Sequence, residues 1–202
     1  MFDKLFSMQG KVCVVTGGSR GLGTYIAQGF LEAGAKRVYI TARKAEACFA
    51  AATELSKYGE CIALPGDVGT SEGLMQLVQA LQKQENHLDV LVNNAGTAWG
   101  APFGQFPEKG WDKVMDLNVK SPFFLTQALM PLLAKKATAE QSASVINIGS
   151  IAGIVGNGLD NFSYAISKTA IHQATRILAT ELAAQHIRVN AIAPGRFYSK
   201  MT

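Results

Sequence analysis

The sequence predicts an α/β fold, a parallel sheet covered by helices on both faces, from three observations. Short apolar runs alternate with helix-like segments along the 202 residues, which is the order of parallel strands joined by crossover helices. The apolar runs are continuous, as in strands that are buried on both faces. The first run ends in a cluster of glycines. Together these patterns predict one domain, residues 1–202.

Strands and helical segments are predicted in strict alternation. The strands are runs rich in β-branched and apolar residues: Lys11–Thr16, Lys36–Ala42, Glu60–Pro65, Leu88–Asn93, Ala143–Ile148 and Ile187–Ala193. The helices have apolar residues at helical spacing: Gly21–Gly34, Lys44–Tyr58, Ser71–Glu85, Glu108–Lys136 and Tyr164–Gln185. We expect Ser71 to cap the third helix, and Pro122 and Pro131 to bend the fourth. Right-handed crossovers order such elements into a doubly wound, Rossmann-like sheet, whose functional side chains follow the carboxyl ends of the strands.

Composition excludes several classes of protein. Apolar residues make up 48% of the chain, which excludes a disordered or fibrous protein. Charged residues are 17%, and 19 Lys and Arg against 15 Asp and Glu give a net charge of +4. Because Lys135–Lys136 is the only lysine pair, no basic stripe for nucleic acid is predicted. An anionic small molecule is the better expected partner.

The cysteines and the start of the chain predict a cytoplasmic protein. Cys13, Cys48 and Cys61 share no metal-binding or disulfide spacing, and Cys13 is expected in the core. No metal site is predicted, and unpaired cysteines are typical of a reducing compartment. Met1–Gly10 carries charges of both signs and is no signal peptide. No apolar run reaches the ~18 residues of a membrane span, so no membrane partner is expected.

The segment Thr16–Gly23 (TGGSRGLG) predicts a phosphate site between the first strand and the first helix. Gly17, Gly21 and Gly23 allow a sharp turn and a close approach to a pyrophosphate. The free N–H groups and positive dipole end of the helix would face that group. The spacing differs from the common G-x-G-x-x-G, and the Lys-Ser/Thr of a P-loop is absent. The alternative is a tight turn that is merely rich in glycine.

Two arginines predict NADP(H) as the cofactor. An NAD site usually has an acidic residue roughly 20 positions past the glycines, on the ribose hydroxyls. Here the second strand ends in Thr-Ala-Arg-Lys, with Arg43 20 positions after Gly23 and Arg20 inside the glycine loop. Two guanidinium groups suit a ribose 2′-phosphate. The alternative is that Arg43 simply ends the strand in solvent.

Further motifs, taken with the glycine loop, resemble the short-chain dehydrogenase/reductase family. They stand in family order over residues 11 to 199: Asn93–Gly96 (NNAG), Asn118 in DLNV, Ser150 in IGSIAG, Tyr164 and Lys168 in YAISK, and Pro194-Gly195. Within the family the chain is most similar to 3-oxoacyl reductases, including those of rhamnolipid synthesis. The family continues past this point with a helical lid over the substrate, a helix and a last strand. The lid and the last strand are therefore expected to be missing from these 202 residues.

Asn118, Ser150, Tyr164 and Lys168 are the candidate catalytic residues. Tyr164 and Lys168 are four apart and share one face of a helix. A lysine ammonium favours the phenolate of a tyrosine, whose pKa is otherwise about 10, so Tyr164 can exchange a proton with a ketone or alcohol oxygen. Ser150 would hold that oxygen. The resemblance implies that Lys168 also holds the nicotinamide ribose, and that Asn118 bends its helix and positions a water.

The alternatives at these positions are ordinary: a surface Tyr–Lys pair and a serine at a strand end. The resemblance also implies the cofactor contacts, which are Gly17, Ser19, Arg20, Gly21, Leu22, Gly23, Arg43, Asp67, Val68, Asn93, Ala95, Gly96, Tyr164, Lys168, Pro194, Gly195 and Phe197. Asp67 and Val68 would meet the adenine, and Pro194 to Phe197 the nicotinamide, while Ser199 replaces a family threonine that contacts phosphate. Asp67 is alternatively a turn residue, and Asn93-Asn94 alternatively caps a loop.

The remaining polar and aromatic candidates receive no firm role. His87, His172 and His186 form no triad and no ligand spacing, and two of them are expected to be surface residues at helix ends. Trp99, Phe103 and Phe106 either line an acyl or ring pocket or pack their loop against the domain.

These features predict an enzyme that reduces a ketone with NADPH, with Tyr164 as general acid/base. The favoured substrate is a 3-oxoacyl thioester on a carrier protein. The alternatives are an oxidoreductase of sugar or steroid alcohols, and a non-catalytic NADP-binding subunit. The resemblance further implies a homotetramer or homodimer, which the apolar stretch Pro122–Leu133 and the alanine-rich Ile171–Ala184 permit.

Overall fold

The computed structural model describes residues 6–156 and 158–195. Within them, one sheet of six parallel strands has the order β3-β2-β1-β4-β5-β6. The strands are β1 Val12–Thr16, β2 Arg37–Thr41, β3 Cys61–Ala63, β4 Val90–Asn93, β5 Ala143–Ile148 and β6 Ile187–Ile192. The predicted doubly wound sheet is confirmed. Its direction of winding reverses between β1 and β4, where such sheets form a crevice for ligands.

The helices are shorter than predicted at most of their ends but occupy the predicted segments. They are α1 Leu22–Glu32, α2 Ala45–Leu55, α3 Ser71–Gln84, α4 Glu108–Met115, α5 Ser121–Ala134 and α6 Phe162–Leu182. Short 3₁₀ turns lie between these elements, at Phe103–Gln105, Ile151–Gly153 and Ala183–Gln185. No helix in the described part of the chain is long and apolar enough to cross a membrane.

Two apolar layers cover the two faces of the sheet. Val12 and Val14 pack with α3, α5 and the end of α6, whereas Cys13 and Val15 pack with α1 and α2. Successive side chains of a strand point to opposite faces, so a strand between two helix layers must be apolar at every position. The complete burial of β1, Cys13 included, follows from this arrangement.

The predicted cap of α3 is wrong by one residue. Thr70, not Ser71, precedes the helix with extended backbone, and its hydroxyl accepts a hydrogen bond of 3.1 Å from the Gly73 N–H. Ser71 is the first helical residue. Both residue types can cap a helix, and the backbone conformation, which the pattern does not show, selects between them.

The predicted long helix 108–136 is divided by a π-helical segment, Asp116–Lys120. There the Ser121 N–H donates to the carbonyl of Asp116, five residues earlier. Pro122 is the second residue of α5, which directly follows the π-helical segment, and the helix continues through it. α5 continues past Pro131 to Ala134.

Candidate active site

The glycine loop between β1 and α1 has the backbone that a phosphate site requires. Gly17 and Gly21 have φ of 67° and 57°, in the region that favours glycine. A Cβ at Gly23 would lie 2.3 Å from the carbonyl oxygen of Gly17, so only glycine fits there. α1 begins at Leu22, and its first N–H groups border the loop. Ser19 is half-buried beside them.

Asn94 attaches this loop to the end of β4. Its amide nitrogen donates to the carbonyls of Thr16, at 2.9 Å, and Gly17, at 3.1 Å. The buried hydroxyl of Thr16 accepts hydrogen bonds of 3.0 Å from the N–H groups of both Asn94 and Ala95. The loop-capping alternative is therefore correct for Asn94. The NNAG motif includes Asn94, but the family resemblance implied cofactor contacts only for its neighbours Asn93, Ala95 and Gly96.

The neighbouring Asn93 has a different environment. Its side chain is 4% exposed and donates to Asn147, at 2.8 Å, and to Thr126, at 3.3 Å. Asn147 in turn donates to Thr175 on α6 at 3.0 Å. This buried chain of hydrogen bonds links β4 and β5 to α5 and α6. The amide of Asn93 is thus committed to the interior, which leaves its main chain as the group for the expected cofactor contact.

Lys168 and Tyr164 lie on the same face of α6, at the carboxyl end of β5. Lys168 is 6% exposed, and its ammonium donates a 2.7 Å hydrogen bond to the carbonyl of Ile148. The ammonium lies 5.6 Å from the centre of the Tyr164 ring, and Tyr164 is half-buried. Burial lowers the pKa of Lys168 to about 8, because desolvation disfavours its charged form. A cation that is held beside a phenol stabilises the phenolate.

Asn118 connects this pair to the glycine loop. From the π-helical segment its amide accepts from the N–H of Thr97 and donates to the carbonyl of Thr97, both at 2.9 Å. It also donates at 3.0 Å to Ser167, whose hydroxyl donates at 2.7 Å to the Tyr164 carbonyl. The helix irregularity that the resemblance implied for Asn118 is present. Sequence reasoning missed Ser167 and Thr97 because only folding brings them to Asn118.

Gly96 lies between these groups. A Cβ at Gly96 would be 3.3 Å from the Asn118 amide oxygen and 3.7 Å from the Lys168 ammonium. A Cβ at Gly17 would be 3.0 Å from the Cα of Ala95. Residues 94–97 therefore join the glycine loop to the Tyr164 and Lys168 helix at one edge of the sheet, as the predicted site requires.

Ser150 follows β5 at the same edge. It is 8% exposed, and its hydroxyl accepts a hydrogen bond of 3.2 Å from the Ala152 N–H. The flanking N–H groups of Gly149 and Ile151 donate to the carbonyls of Ile192, at 2.7 Å, and Pro194, at 3.0 Å. Pro194 and Gly195 thus lie beside Ser150. Phe197 and Ser199 fall outside the described residues.

The other predicted cofactor residues line the same edge, in different environments. Arg20 and Arg43 are exposed, and neither forms an ion pair with another described residue. One carboxylate oxygen of Asp67 accepts from the Gly69 N–H at 3.0 Å, as the turn alternative predicts. The Val68 side chain is 5% exposed and packs in the core, so its main chain is the group available to a ligand.

Two expectations about the unassigned residues need correction. His186 is exposed as expected, but His87 is buried, 3.4 Å from the Asp89 carboxylate. His172, to which the sequence assigned no role, contacts a predicted site residue: its Nε2 lies 3.2 Å from the carbonyl oxygen of Ser150. The spacing of the histidines carried no sign of this contact, because the two residues meet only across α6 and β5.

The aromatic residues after β4 mainly pack their own loop. Trp99 lies over Gly110, where a Cβ would be 2.7 Å from the ring, and the Lys113 ammonium is 5.4 Å from the ring centre. Phe103 and Phe106 make edge-to-face contacts with Phe162, with ring centres 5.4 and 5.8 Å apart. These contacts support the packing alternative, although Phe103 remains 82% exposed.

Comparison with known proteins assigns the family. The sequence model of the family described as short chain dehydrogenase matches residues 11–202. The chain is a short-chain dehydrogenase. This short-chain dehydrogenase is 56% identical over 197 residues to the rhamnolipids biosynthesis 3-oxoacyl-[acyl-carrier-protein] reductase of Pseudomonas aeruginosa, covering 98% of its own length and 77% of that relative's. It is 38% identical to the 2-dehydro-3-deoxy-D-gluconate 5-dehydrogenase of Escherichia coli, covering 96% and 75%.

Solved structures agree with the fold of this short-chain dehydrogenase. The Pseudomonas aeruginosa RhlG/NADP active-site complex superposes with a TM-score of 0.95 at 55% identity, over 98% of this chain and 77% of that one. The L-sorbose reductase of Gluconobacter frateurii, complexed with NADPH and L-sorbose, gives a TM-score of 0.89 at 29% identity, over 96% and 73%. The oxidoreductase class that the sequence predicts is confirmed.

Proposed function

We propose that this short-chain dehydrogenase reduces a ketone to a secondary alcohol with NADPH, and that its substrate is a 3-oxoacyl thioester on an acyl carrier protein. One observation carries the proposal. The Tyr164–Lys168 pair and the glycine loop lie at the same edge of the sheet, connected through Gly96 and Asn118. A dinucleotide on the loop would therefore reach the phenol.

The residues present fit NADPH. Only glycine fits at Gly17 and Gly23, because a Cβ there would collide with residues 94–95 or with the Gly17 carbonyl, and the compact turn that results leads directly into the N-terminus of α1, where a pyrophosphate would bind. The exposed guanidinium groups of Arg20 and Arg43 are available for the 2′-phosphate. When bound, NADPH would supply the hydride that reduces the substrate carbon. A non-catalytic NADP-binding subunit would not need a buried Lys168 beside Tyr164, so this pair favours an enzyme.

The chain's own groups supply the proton. The Tyr164 hydroxyl donates to the ketone oxygen, and the Lys168 ammonium stabilises the phenolate that remains. The Ser150 hydroxyl donates a hydrogen bond to the same oxygen and stabilises charge that develops there. Ser167 and Asn118 hold the helix turn that carries Tyr164.

Two relatives favour different substrates. The Pseudomonas aeruginosa relative at 56% identity is named for a 3-oxoacyl carrier-protein substrate, and the net charge of +4 suits an acidic carrier. The Escherichia coli relative at 38% is named for a sugar acid. We expect NADPH oxidation with a 3-oxoacyl thioester to exceed that with 5-keto-D-gluconate or L-sorbose. Faster turnover of either sugar would reverse the assignment.

NADPH should bind at least about tenfold more tightly than NADH, because a 2′-phosphate can pair with two guanidinium groups. Arg43→Ala should reduce that preference by weakening NADPH alone. Fluorescence titration of both nucleotides measures it, and Arg176→Ala, which removes an exposed arginine from α6, is the control. Equal affinities in the unmodified protein would contradict the cofactor assignment.

We further propose that the protein works in the cytoplasm as a homodimer or homotetramer through α5 and α6. Large apolar side chains are exposed on these helices: Phe123 and Phe124 at 40% and 47%, and Ile166 and Ile177 at 46% and 57%. Exposed apolar residues in such number support an interface. The thiols of Cys13, Cys48 and Cys61 are unpaired, which supports a reducing compartment.

A further inference from the structure

His172 is placed by the same helix that carries Tyr164 and Lys168. The three residues are four apart along α6, so their side chains share one face. Tyr164 lies nearest the start of the helix, Lys168 one turn further, and His172 one turn beyond. This face is turned to the carboxyl end of β5, where Lys168 bonds Ile148 and His172 meets Ser150.

The His172 ring contacts the main chain on both sides of the Cα of Ser150. Nε2 lies 3.2 Å from the Ser150 carbonyl oxygen and 3.5 Å from its amide nitrogen. With the proton on Nε2 the ring donates to the carbonyl, and with the proton on Nδ1 it accepts from the N–H. In either tautomer, His172 therefore forms a hydrogen bond with the main chain of Ser150.

The packing around the ring leaves it little freedom. A Cβ at Gly149 would lie 2.5 Å from Cε1 and 2.6 Å from Nε2, so the ring rests directly on the Gly149 backbone. Four residues on, a Cβ at Gly153 would be 2.5 Å from the main chain of Lys168. The segment 149–153 thus lies flat on α6, with His172 under its first half.

The main chain of Ser150 depends on this contact. Its carbonyl also accepts from the Gly153 N–H at 3.0 Å. Its own N–H, by contrast, has no hydrogen-bond partner except His172 among residues 6–156 and 158–195. The Ser150 side chain has to place one hydroxyl against a substrate oxygen, and small displacements of such a group are costly.

We propose that His172 is a positioning residue, which orients the Ser150 hydroxyl by holding the main chain of Ser150 against α6. The proposal rests on the role of Ser150 in the proposed function. Lys168, on the same helix face, lies beside the Tyr164 ring, and His172 fixes the position of the Ser150 hydroxyl, so a single helix positions both groups.

The kinetic test compares two replacements of His172. His172→Leu removes the hydrogen bond, and kcat for the ketone should fall about tenfold, less than the ~10²-fold or more expected for loss of the Ser150 hydroxyl itself. KM for NADPH should be unchanged. His172→Gln keeps a side-chain N–H and should retain kcat within about threefold. Equal losses in the two variants would overturn the proposal.

A double-mutant cycle separates positioning from general stability. In a Ser150→Ala background, His172→Leu should change kcat by less than about twofold, because the hydroxyl that it orients is already absent. Additive losses would overturn the proposal. Thr169→Val, which removes the bond from α6 to the Gly153 carbonyl at 3.0 Å, is the matched control. Its kcat should stay within about twofold, and a loss equal to that of His172→Leu would contradict a specific role.

A measurement without substrate keeps this test apart from the proposed function. Hydrogen–deuterium exchange of the peptide around residues 148–154 should accelerate in His172→Leu and remain near the original rate in His172→Gln. Unchanged exchange in His172→Leu would overturn the proposal even if the enzyme reduces ketones. If the unmodified protein reduced none, the proposed function would fail, and exchange would still decide whether His172 holds Ser150.

Discussion

Lys168 shows how a single residue can serve chemistry at a cost in stability. Lys168 is 6% exposed, and within the described part of the chain its ammonium has one hydrogen-bond partner, the carbonyl of Ile148 at 2.7 Å. A buried cation with so few partners is destabilising. Burial therefore lowers the pKa of Lys168 to about 8, because desolvation disfavours its charged form. In the proposed function, the folded protein bears this cost so that a cation lies beside the phenol that transfers the proton.

Tyr164→Phe should lower kcat by at least about 10²-fold, because it removes the proton donor and little else. NADPH affinity should be unchanged, since the ring that packs beside Lys168 remains. Rates of NADPH oxidation and fluorescence titration of the nucleotide measure the two effects. More than a few per cent of the original activity would refute the assigned role.

Lys168 also predicts how stability depends on pH. Its pKa of about 8 when folded lies below its ordinary value of 10.5, so between these values the unfolded chain holds a proton that the folded chain lacks. Stability from this group therefore rises with pH through that window and is lowest below pH 8. Relative to Lys168→Met, the unmodified protein should gain about 2 kcal/mol between pH 7 and pH 10. Urea unfolding of both proteins measures this, and a constant difference would be evidence against burial of a charged amine.

At the level of elements, the irregular points of the helices lie next to the site. The π-helical segment Asp116–Lys120 points the Asn118 amide at Thr97 and Ser167. π-helical turns cost regular hydrogen bonding and are frequent at functional sites. By contrast, α3 is regular, with a hydroxyl cap at its start.

The cap of α3 gives a prediction with an internal control. Thr70→Ala should destabilise the protein by about 1 kcal/mol, because the Gly73 N–H loses the hydroxyl that accepts its bond. Ser71→Ala, one residue on and exposed, should change the free energy of unfolding by less than about half of that. Chemical denaturation compares them. A larger effect at Ser71 would favour the original sequence-based assignment.

At the level of the whole molecule, the sheet collects its functional groups at one edge while α5 and α6 expose apolar side chains elsewhere. Both helices also contribute to the apolar layer on one face of the sheet, through Leu125, Leu129 and Leu182. An interface on their outer sides would therefore couple subunit contact to the helix that carries Tyr164. That arrangement would stiffen α6.

Sedimentation should give a dimer or tetramer at micromolar concentration. Ile177→Asp on α6 should shift it toward monomer, because a buried charge opposes association. Phe49→Asp, which alters an equally exposed apolar residue on α2, should leave the assembly intact. A monomer from the unmodified protein would overturn the oligomer proposal.

The features of this site that could be predicted depend on residues that are close together in the sequence, and the others depend on residues that are far apart. The Tyr164–Lys168 pair and the glycine turn were predictable because helical spacing and the conformational freedom of glycine act within a few residues. The interior bonds of Asn93, the attachment of the loop by Asn94 and the contact of His172 with Ser150 were not. Those partners are 54, 78 and 22 positions apart, and no local pattern specifies them.

The alternation of apolar runs and helices was enough to set the order of elements, the strand directions and the edge where chemistry occurs, because burial and right-handed crossovers leave few other arrangements. Packing settled which donor meets which acceptor. The Thr70 hydroxyl, the Asn94 amide and the His172 ring take the partners that the folded backbone brings within about 3 Å. Such contacts depend on atomic positions that are fixed only when the helices have packed against the sheet.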